Sequence, residues 1–260
     1  MRLLGIFKRP KPIIAVIHLQ SPRRLSEEKV VRIAAEEARV FWELGVDGVL
    51  VENFGDRPYV KVRVPSHVRA VIAKAVKAVR SVFDGPVGVN VLRNDLLTAL
   101  EVDREVGIDF IRVNYLVGVA VTPEGMIEGA AHYLREAAER PPILADILTK
   151  HGDMLYPRTV EEAVRETVER GMADALVVTG EATGKPPSLT LVGEAKRRAR
   201  VPVFVGSGLN PRNVFTYLLV ADGGIVSSYF RRGGVAGEPL EPQRVAEFMS
   251  SVRELRSLVS

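Results

Sequence analysis

Short apolar runs recur along the whole chain, and stretches with helical periodicity separate them. The runs are PIIAVIHL (12–19), DGVLVEN (47–53), PVGVNVL (86–92), DFIRVNY (109–115), PILADIL (142–148), DALVVTG (174–180), PVFVGSG (202–208) and GGIVSSY (223–229). The intervening SEEKVVRIAAEEARVFWELG (26–45) and TVEEAVRETVERG (159–171) each open on Ser or Thr followed by acidic residues, and each closes on glycine. Those are the marks of capped amphipathic helices. Strand–helix alternation eight times over predicts a parallel sheet, and eight units in about 250 residues predict one closed (β/α)8, or TIM, barrel domain. A doubly wound open sheet is the alternative architecture.

Odd and even runs begin differently. The first, third, fifth and seventh start at Pro12, Pro86, Pro142 and Pro202, while the others start at or just after Asp47, Asp109, Asp174 and Asp222. Proline is tolerated at the first residue of a strand, where no ladder N–H is yet required. The alternation reads as a two-strand quasi-repeat.

It also fixes a side-chain register, because every second residue of a barrel strand points into the interior. The inward series are Ile14-Val16-His18, Leu50-Glu52, Gly88-Asn90, Phe110-Arg112-Asn114, Leu144-Asp146, Val177-Thr179, Phe204-Gly206 and Ile225-Ser227. Their last members are polar in every strand but one, and the exception is Gly206. The outward positions between them are apolar. Buried polar side chains need partners, so a ring of polar tips at the C-terminal face reads as a ligand site, where barrel enzymes keep theirs.

Composition narrows the classes. The chain has 260 residues, 47% of them hydrophobic and 26% charged, with a net charge of +4. There is no cysteine, which excludes disulfides, thiolate nucleophiles and Cys-ligated metals. No apolar run approaches the roughly 18 residues of a membrane span, and the opening MRLLGIFKRPKP is too short in its apolar part for a secretory signal. The expected location is the cytoplasm. Glutamine occurs only at Gln20 and Gln243 amid abundant charge, a hint of a thermophilic source. The basic run Lys196-Arg197-Arg198-Ala199-Arg200 ends a helical stretch and has few aromatic neighbours. It reads as a solvated helix end rather than a nucleic-acid patch. The sequence is compatible with a homo-oligomer.

Candidate chemistry follows from the rim. Gly206-Ser207-Gly208 after the seventh strand and Ser227-Ser228 after the eighth occupy the two loops that hold phosphoryl groups in many barrels. Asn210 and Pro211 are placed to start a helix beside them. The expected partner is therefore a phosphorylated small molecule. Glu52 and Asp146 are the acid–base candidates, with a structural ion pair to Arg112 as the alternative for either. His18 is an acid–base group, a ligand or a structural histidine. Lys150, in LADILTKHGD, is a candidate electrophile, phosphate or carboxylate clamp, or Schiff-base amine, the last disfavoured by its place beyond the strand, and His151 adjoins it. Asn53, Asn90, Arg93, Asn94, Arg112, Asn114 and Thr179 complete the expected substrate-binding rim, while Asp95 is also placed to cap a helix. No cofactor is required, but His18, Glu52 and Asp146 would hold a divalent metal if their tips converged. TGEATGKPP (179–187) lacks the spacing of a nucleotide P-loop and is a loop able to close over a ligand. A flavin or nucleotide would suit the same cradle.

In KPIIAVIHL, VDGVLVENFGD, PVGVNVLRND, FIRVN, ILADI with Lys150-His151, and ALVVTGEATG, the sequence resembles the BtpA family from about Lys11 to Arg253. The resemblance implies a TIM barrel. It brings no established reaction: the family includes a cyanobacterial factor tied to photosystem I accumulation, while many members occur in organisms without photosystems. It therefore adds a second reading, a non-catalytic assembly factor, beside a lyase, isomerase or aldolase acting on a phosphorylated metabolite. This chain has Ser227-Ser228 where the family tends to Gly-Thr or Gly-Ser, and Leu148 in place of a histidine preceding Lys150-His151.

Overall fold

Each apolar run forms a strand in the computed structural model, which describes residues 3–137, 139–148, 152–180, 182 and 184–259. In chain order the strands are β1 (Ile13–His18), β2 (Gly48–Glu52), β3 (Val87–Asn90), β4 (Phe110–Val113), β5 (Val119–Thr122), β6 (Gly125–Glu128), β7 (Ile143–Ile147), β8 (Asp153–Tyr156), β9 (Ala175–Val178), β10 (Val203–Val205) and β11 (Gly223–Val226). Eight of them close a barrel in the order β1-β11-β10-β9-β7-β4-β3-β2, with every neighbouring pair parallel. The helices are α1 (Glu27–Glu43), α2 (Ser66–Arg80), α3 (Leu96–Val106), α4 (Val160–Arg165), α5 (Leu189–Arg198), α6 (Val214–Val220) and α7 (Pro242–Val259). Ser26 caps α1, Asp95 caps α3, and Thr159 with Glu162 forms a reciprocal capping box on α4.

The proline–aspartate alternation has a physical cause at the N-terminal rim. The N–H after each odd-strand proline donates to the aspartate that opens the next barrel strand: Ile13 to Asp47 at 2.8 Å, Val87 to Asp109 at 2.8 Å, Ile143 to Asp174 at 2.9 Å and Val203 to Asp222 at 2.8 Å. Each aspartate N–H returns a bond to the carbonyl of that same residue. The proline carbonyls join one pair to the next, accepting from Val49 (to Pro86), Ile111 (to Pro142), Leu176 (to Pro202) and Gly224 (to Pro12). A cation neutralises each carboxylate in turn: Arg256 on Asp47, Arg80 on Asp109, Arg140 on Asp174 and Lys196 on Asp222. The rim is thus one hydrogen-bonded motif repeated four times.

The register follows the alternation. Ile14, Val16, Leu50, Phe110, Leu144, Val177, Phe204 and Ile225 fill the barrel interior, where Leu3 and Phe7 join them. Ile13, Ala15, Ile17, Val49, Val51, Val87, Val89 and the other outward residues pack in the separate core beneath the helices. Gly88 is the inward member of β3 without a side chain because the Phe110 ring fills its place, 2.2 Å from where a Cβ would stand.

Two expectations are corrected. Strand and helix do not alternate eight times: the crossover from β4 to β7 carries no α-helix, but a β5–β6 hairpin and a 3-10 segment over Ala131–Glu136. Residues 119–128 alternate with period two, burying Ala120, Thr122 and Ile127 and exposing Val121 and Met126, which suits a half-buried hairpin. Strand β8 adds to it, giving an antiparallel sheet in the order β6-β5-β8. The helix expected to start at Asn210-Pro211 begins only at Val214 and has seven residues, behind a turn in which Asn213 accepts from the Asn210 N–H.

Candidate active site

Six of the seven polar tips, all but Thr179, are linked to one another at the C-terminal mouth. His18 ends β1 with its ring stacked on Phe54, centroids 4.0 Å apart. The Gly237 N–H donates to His18 Nδ1 at 3.1 Å, so the neutral ring carries its proton on Nε2. That nitrogen lies 2.9 Å from Ser227 Oγ and 3.9 Å from Glu52 Oε1. Glu52, at the end of β2, accepts from the Asn90 amide through its other oxygen at 2.8 Å. Asn90 reaches Asn114 at 3.5 Å, and Asn114 donates to Asp146 at 2.9 Å.

Asp146 ends this chain of contacts. Arg112 grips its carboxylate with two bonds, Nε to Oδ1 and Nη2 to Oδ2, both 2.9 Å. The Asp146 side chain is fully buried and the Arg112 side chain nearly so. Burial opposes the charge on Arg112, but the Asp146 carboxylate, its hydrogen bonds and the nearby Glu52 outweigh it and hold the guanidinium pKa above its ordinary value. Of the two acid–base candidates, Glu52 keeps an oxygen toward His18, whereas both Asp146 oxygens are engaged by fixed donors.

A cavity of about 340 Å³ opens above these residues and is lined by His18, Glu52, Arg112 and Asn114 from the barrel. Loop residues that sequence periodicity does not single out supply its walls. Phe54, Arg57 and Tyr59 follow β2; the Arg57 guanidinium lies 4.1 Å from the Phe54 ring centroid, and its Nε donates to the Tyr59 hydroxyl at 3.0 Å. Pro123 and Glu124 come from the tip of the β5–β6 hairpin, and Gly184 from the loop after β9. Their signal in the sequence is loop composition alone, in NFGDRPY and TPEG.

The expected phosphate loops also line the cavity, but their groups are not equally available. The Gly206 N–H donates to the Val178 carbonyl at 2.8 Å. Its missing side chain leaves room for protein, since a Cβ would stand 2.4 Å from Val177 Cγ1, 2.9 Å from Thr179 Cγ2 and 3.6 Å from Arg112 Nη2. The Ser207 hydroxyl accepts from Gly180 N–H at 2.9 Å and donates to the Lys185 carbonyl at 2.8 Å, tying down the loop after β9. The Ser227 hydroxyl belongs to His18. Ser207, Gly208 and Ser228 line the cavity, and the amides of the first two and the hydroxyl of the third have no hydrogen-bond partner among the described residues.

Other expected rim residues hold loops instead. Asn53 clamps Leu92 through both ends of its amide, at 2.7 and 3.1 Å. Asn94 bonds Tyr115 N–H and carbonyl and the Glu128 carbonyl. Thr179 is buried, and its hydroxyl has no partner among the described residues. Lys150 and His151 lie outside the described residues. The trio His18, Glu52 and Asp146 does not suit a metal, because Arg112 and Asn114 already bind both Asp146 oxygens. No group of three metal-ligating side chains occurs among the described residues, and no helix is long and apolar enough to cross a membrane.

The chain is 40% identical over 265 residues to the photosystem I biogenesis protein BtpA of Synechocystis, covering 98% of this chain and 92% of that one. It is 42% identical over 243 residues to an uncharacterised protein of Pyrococcus furiosus, covering 90% and 92%. Among solved structures it resembles (S)-3-O-geranylgeranylglyceryl phosphate synthase from Thermoplasma acidophilum in complex with sn-glycerol-1-phosphate. The TM-score is 0.62 at 14% identity, with 97% of each chain covered, a likeness of fold. The sequence model of the BtpA family matches residues 9–254, and the chain belongs to that family.

Proposed function

We propose that the protein is an enzyme of the lyase, isomerase or aldolase kind, acting on a phosphorylated small metabolite at the barrel mouth. Glu52 takes a proton from carbon or oxygen, and neutral His18 polarises the substrate through its Nε2–H. Arg112 stabilises the developing oxyanion, with Asp146 and Asn114 as the residues that position it. The phosphoryl group rests against the Ser207 and Gly208 amides and the Ser228 hydroxyl. Lys150, three residues beyond the end of β7 in the sequence, is a further candidate electrophile.

The observation that carries this reading is the His18–Glu52 pair. A backbone N–H fixes the tautomer of the ring, which turns its remaining N–H toward Ser227 and a carboxylate at the cavity floor. A histidine that served packing alone would have no need of a carboxylate neighbour. The Thermoplasma structure, with glycerol phosphate bound to a similar fold, also supports a phosphorylated ligand.

A second reading, a non-catalytic assembly factor, is supported by the Synechocystis relative's name and by the outer side of the β6-β5-β8 sheet, where Val121, Met126, Leu155 and Tyr156 are exposed. A thermal-shift screen separates the two. A phosphorylated ligand at one hundred times its dissociation constant adds about 2.7 kcal/mol of stability, or about 5–10 °C for a domain of this size. The enzyme reading requires such a hit, turnover of the ligand, and loss of turnover in Glu52→Gln, His18→Gln or Lys150→Met. Stabilisation by no phosphorylated metabolite would refute it and favour the assembly factor.

A further inference from the structure

The Arg93 side chain is a buried cation that donates no hydrogen bond to another described residue. It follows β3, lines the cavity, and is 7% exposed. A guanidinium offers five N–H donors, yet none of them donates to a protein acceptor among the described residues, and its Nε is fully enclosed. Its counterion is Glu124, whose Oε2 pairs with Arg93 Nε at 3.9 Å, too far for a hydrogen bond, and that oxygen accepts none from the described residues. The Tyr59 and Tyr115 rings flank the guanidinium at 6.0 and 5.9 Å. A buried charge normally finds both a counterion and hydrogen bonds. Here the open side is the cavity.

The barrel order places this cation. From β10, whose loop carries Ser207 and Gly208, it is four steps to β3 in either direction around the closed sheet. Arg93 therefore stands across the mouth from the phosphate loops, with Glu52 and His18 between. Among the described residues the charges on its side of the cavity are Arg57, Arg93 and Glu124, a net of one positive charge. Tyr59 and Tyr115 stay neutral, since burial raises both phenols. One positive charge and a planar fork match a carboxylate better than a second phosphate dianion.

We propose that the ligand of this cavity carries a carboxylate at the end opposite its phosphate, and that Arg93 binds that carboxylate. The inference rests on the phosphorylated-metabolite reading and names the substrate class, a phosphorylated carboxylic acid.

The test uses three probes on the full chain by titration calorimetry: 6-phosphogluconate, sorbitol 6-phosphate (the same carbon chain with an alcohol in place of the carboxylate), and gluconate. One charge-assisted bidentate contact predicts that 6-phosphogluconate binds about tenfold or more tightly than sorbitol 6-phosphate. Arg93→Gln abolishes that ratio while leaving sorbitol 6-phosphate within about twofold. If Arg93→Gln does not fold, Arg93→Lys, which keeps the charge but loses the fork, must shrink the ratio instead. Equal affinities in the wild type, or equal loss for both esters in the variant, overturn the inference and leave the phosphate reading standing. Gluconate binding as tightly as 6-phosphogluconate, with the Arg93 dependence kept, overturns the phosphate reading and leaves the carboxylate site. No binding by any probe overturns both.

Discussion

Asp146→Asn decides whether that carboxylate holds Arg112 or does chemistry. The substitution keeps the volume and one acceptor oxygen but removes the charge and turns an NH2 group toward donors. Arg112 is 7% exposed and loses its paired carboxylate. Breaking a buried ion pair from one side costs about 3–5 kcal/mol. The retained carbonyl and the nearby Glu52 put this case at the low end, about 3 kcal/mol. For a domain of this size that lowers the melting temperature by about 6–12 °C. Urea unfolding followed by circular dichroism gives the free energy directly, provided the slope with denaturant is unchanged. The double variant Arg112→Met with Asp146→Leu should recover most of the loss, since an apolar pair of similar volume is often as stable as the ions. A different result would refute the positioning role. If Asp146→Asn were as stable as the wild type or more so, while turnover disappeared, the carboxylate would be a strained reacting group held against the fold's interest.

The N-terminal rim and one tyrosine give further checks. Asp109→Ala or Asp222→Ala orphans a strand N–H and removes a partly exposed ion pair, costing about 1–3 kcal/mol each. Because β4 and β11 lie on opposite sides of the barrel, the two losses should add within about 0.5 kcal/mol in denaturant titrations; strong coupling would mean that the ring acts as one unit. Tyr229 is pushed up to about 12 by burial first and then by its hydrogen bond to Glu247. A raised acid pKa means stability that is complete below the ordinary value near 10 and lost as the pH rises through about 12. Absorbance titration at high pH should show this late phenol disappearing in Tyr229→Phe and moving down in Glu247→Gln; ionisation near 10 in the wild type would mean that the bond is not kept in solution.

Barrel and register were legible because both rest on local, repeated rules. Proline marks where a strand needs no N–H, aspartate marks where it needs an acceptor, and period two sorts interior from exterior. The β5–β6 hairpin was equally local, its signal lying in the alternation of VGVAVTPEGMIE, yet it breaks the strand–helix rhythm that dominates the rest. Within the site, sequence placed Glu52 and His18 at adjacent strand ends, and β1 and β2 pair with those two residues in register. It could not rank Glu52 above Asp146, since that depends on which carboxylate Arg112 reaches, a choice made by rotamers across strands. Nor could it show that the Ser207 hydroxyl is taken by Gly180 and Lys185, or that the Arg93 side chain finds no hydrogen-bond acceptor among the described residues. Such facts are about saturation of hydrogen bonds, and they exist only once distant loops have met.

The fourfold motif at the N-terminal rim has a consequence for how such a protein can change. Strand ends there are fixed by backbone groups, four aspartates and four prolines, none of which reaches the opposite face. Loops at the mouth can lengthen, shed a helix for a hairpin or trade one polar tip for another while the base stays latched. A substitution at the mouth is therefore expected to change what the cavity accepts while leaving the strand starts where they are.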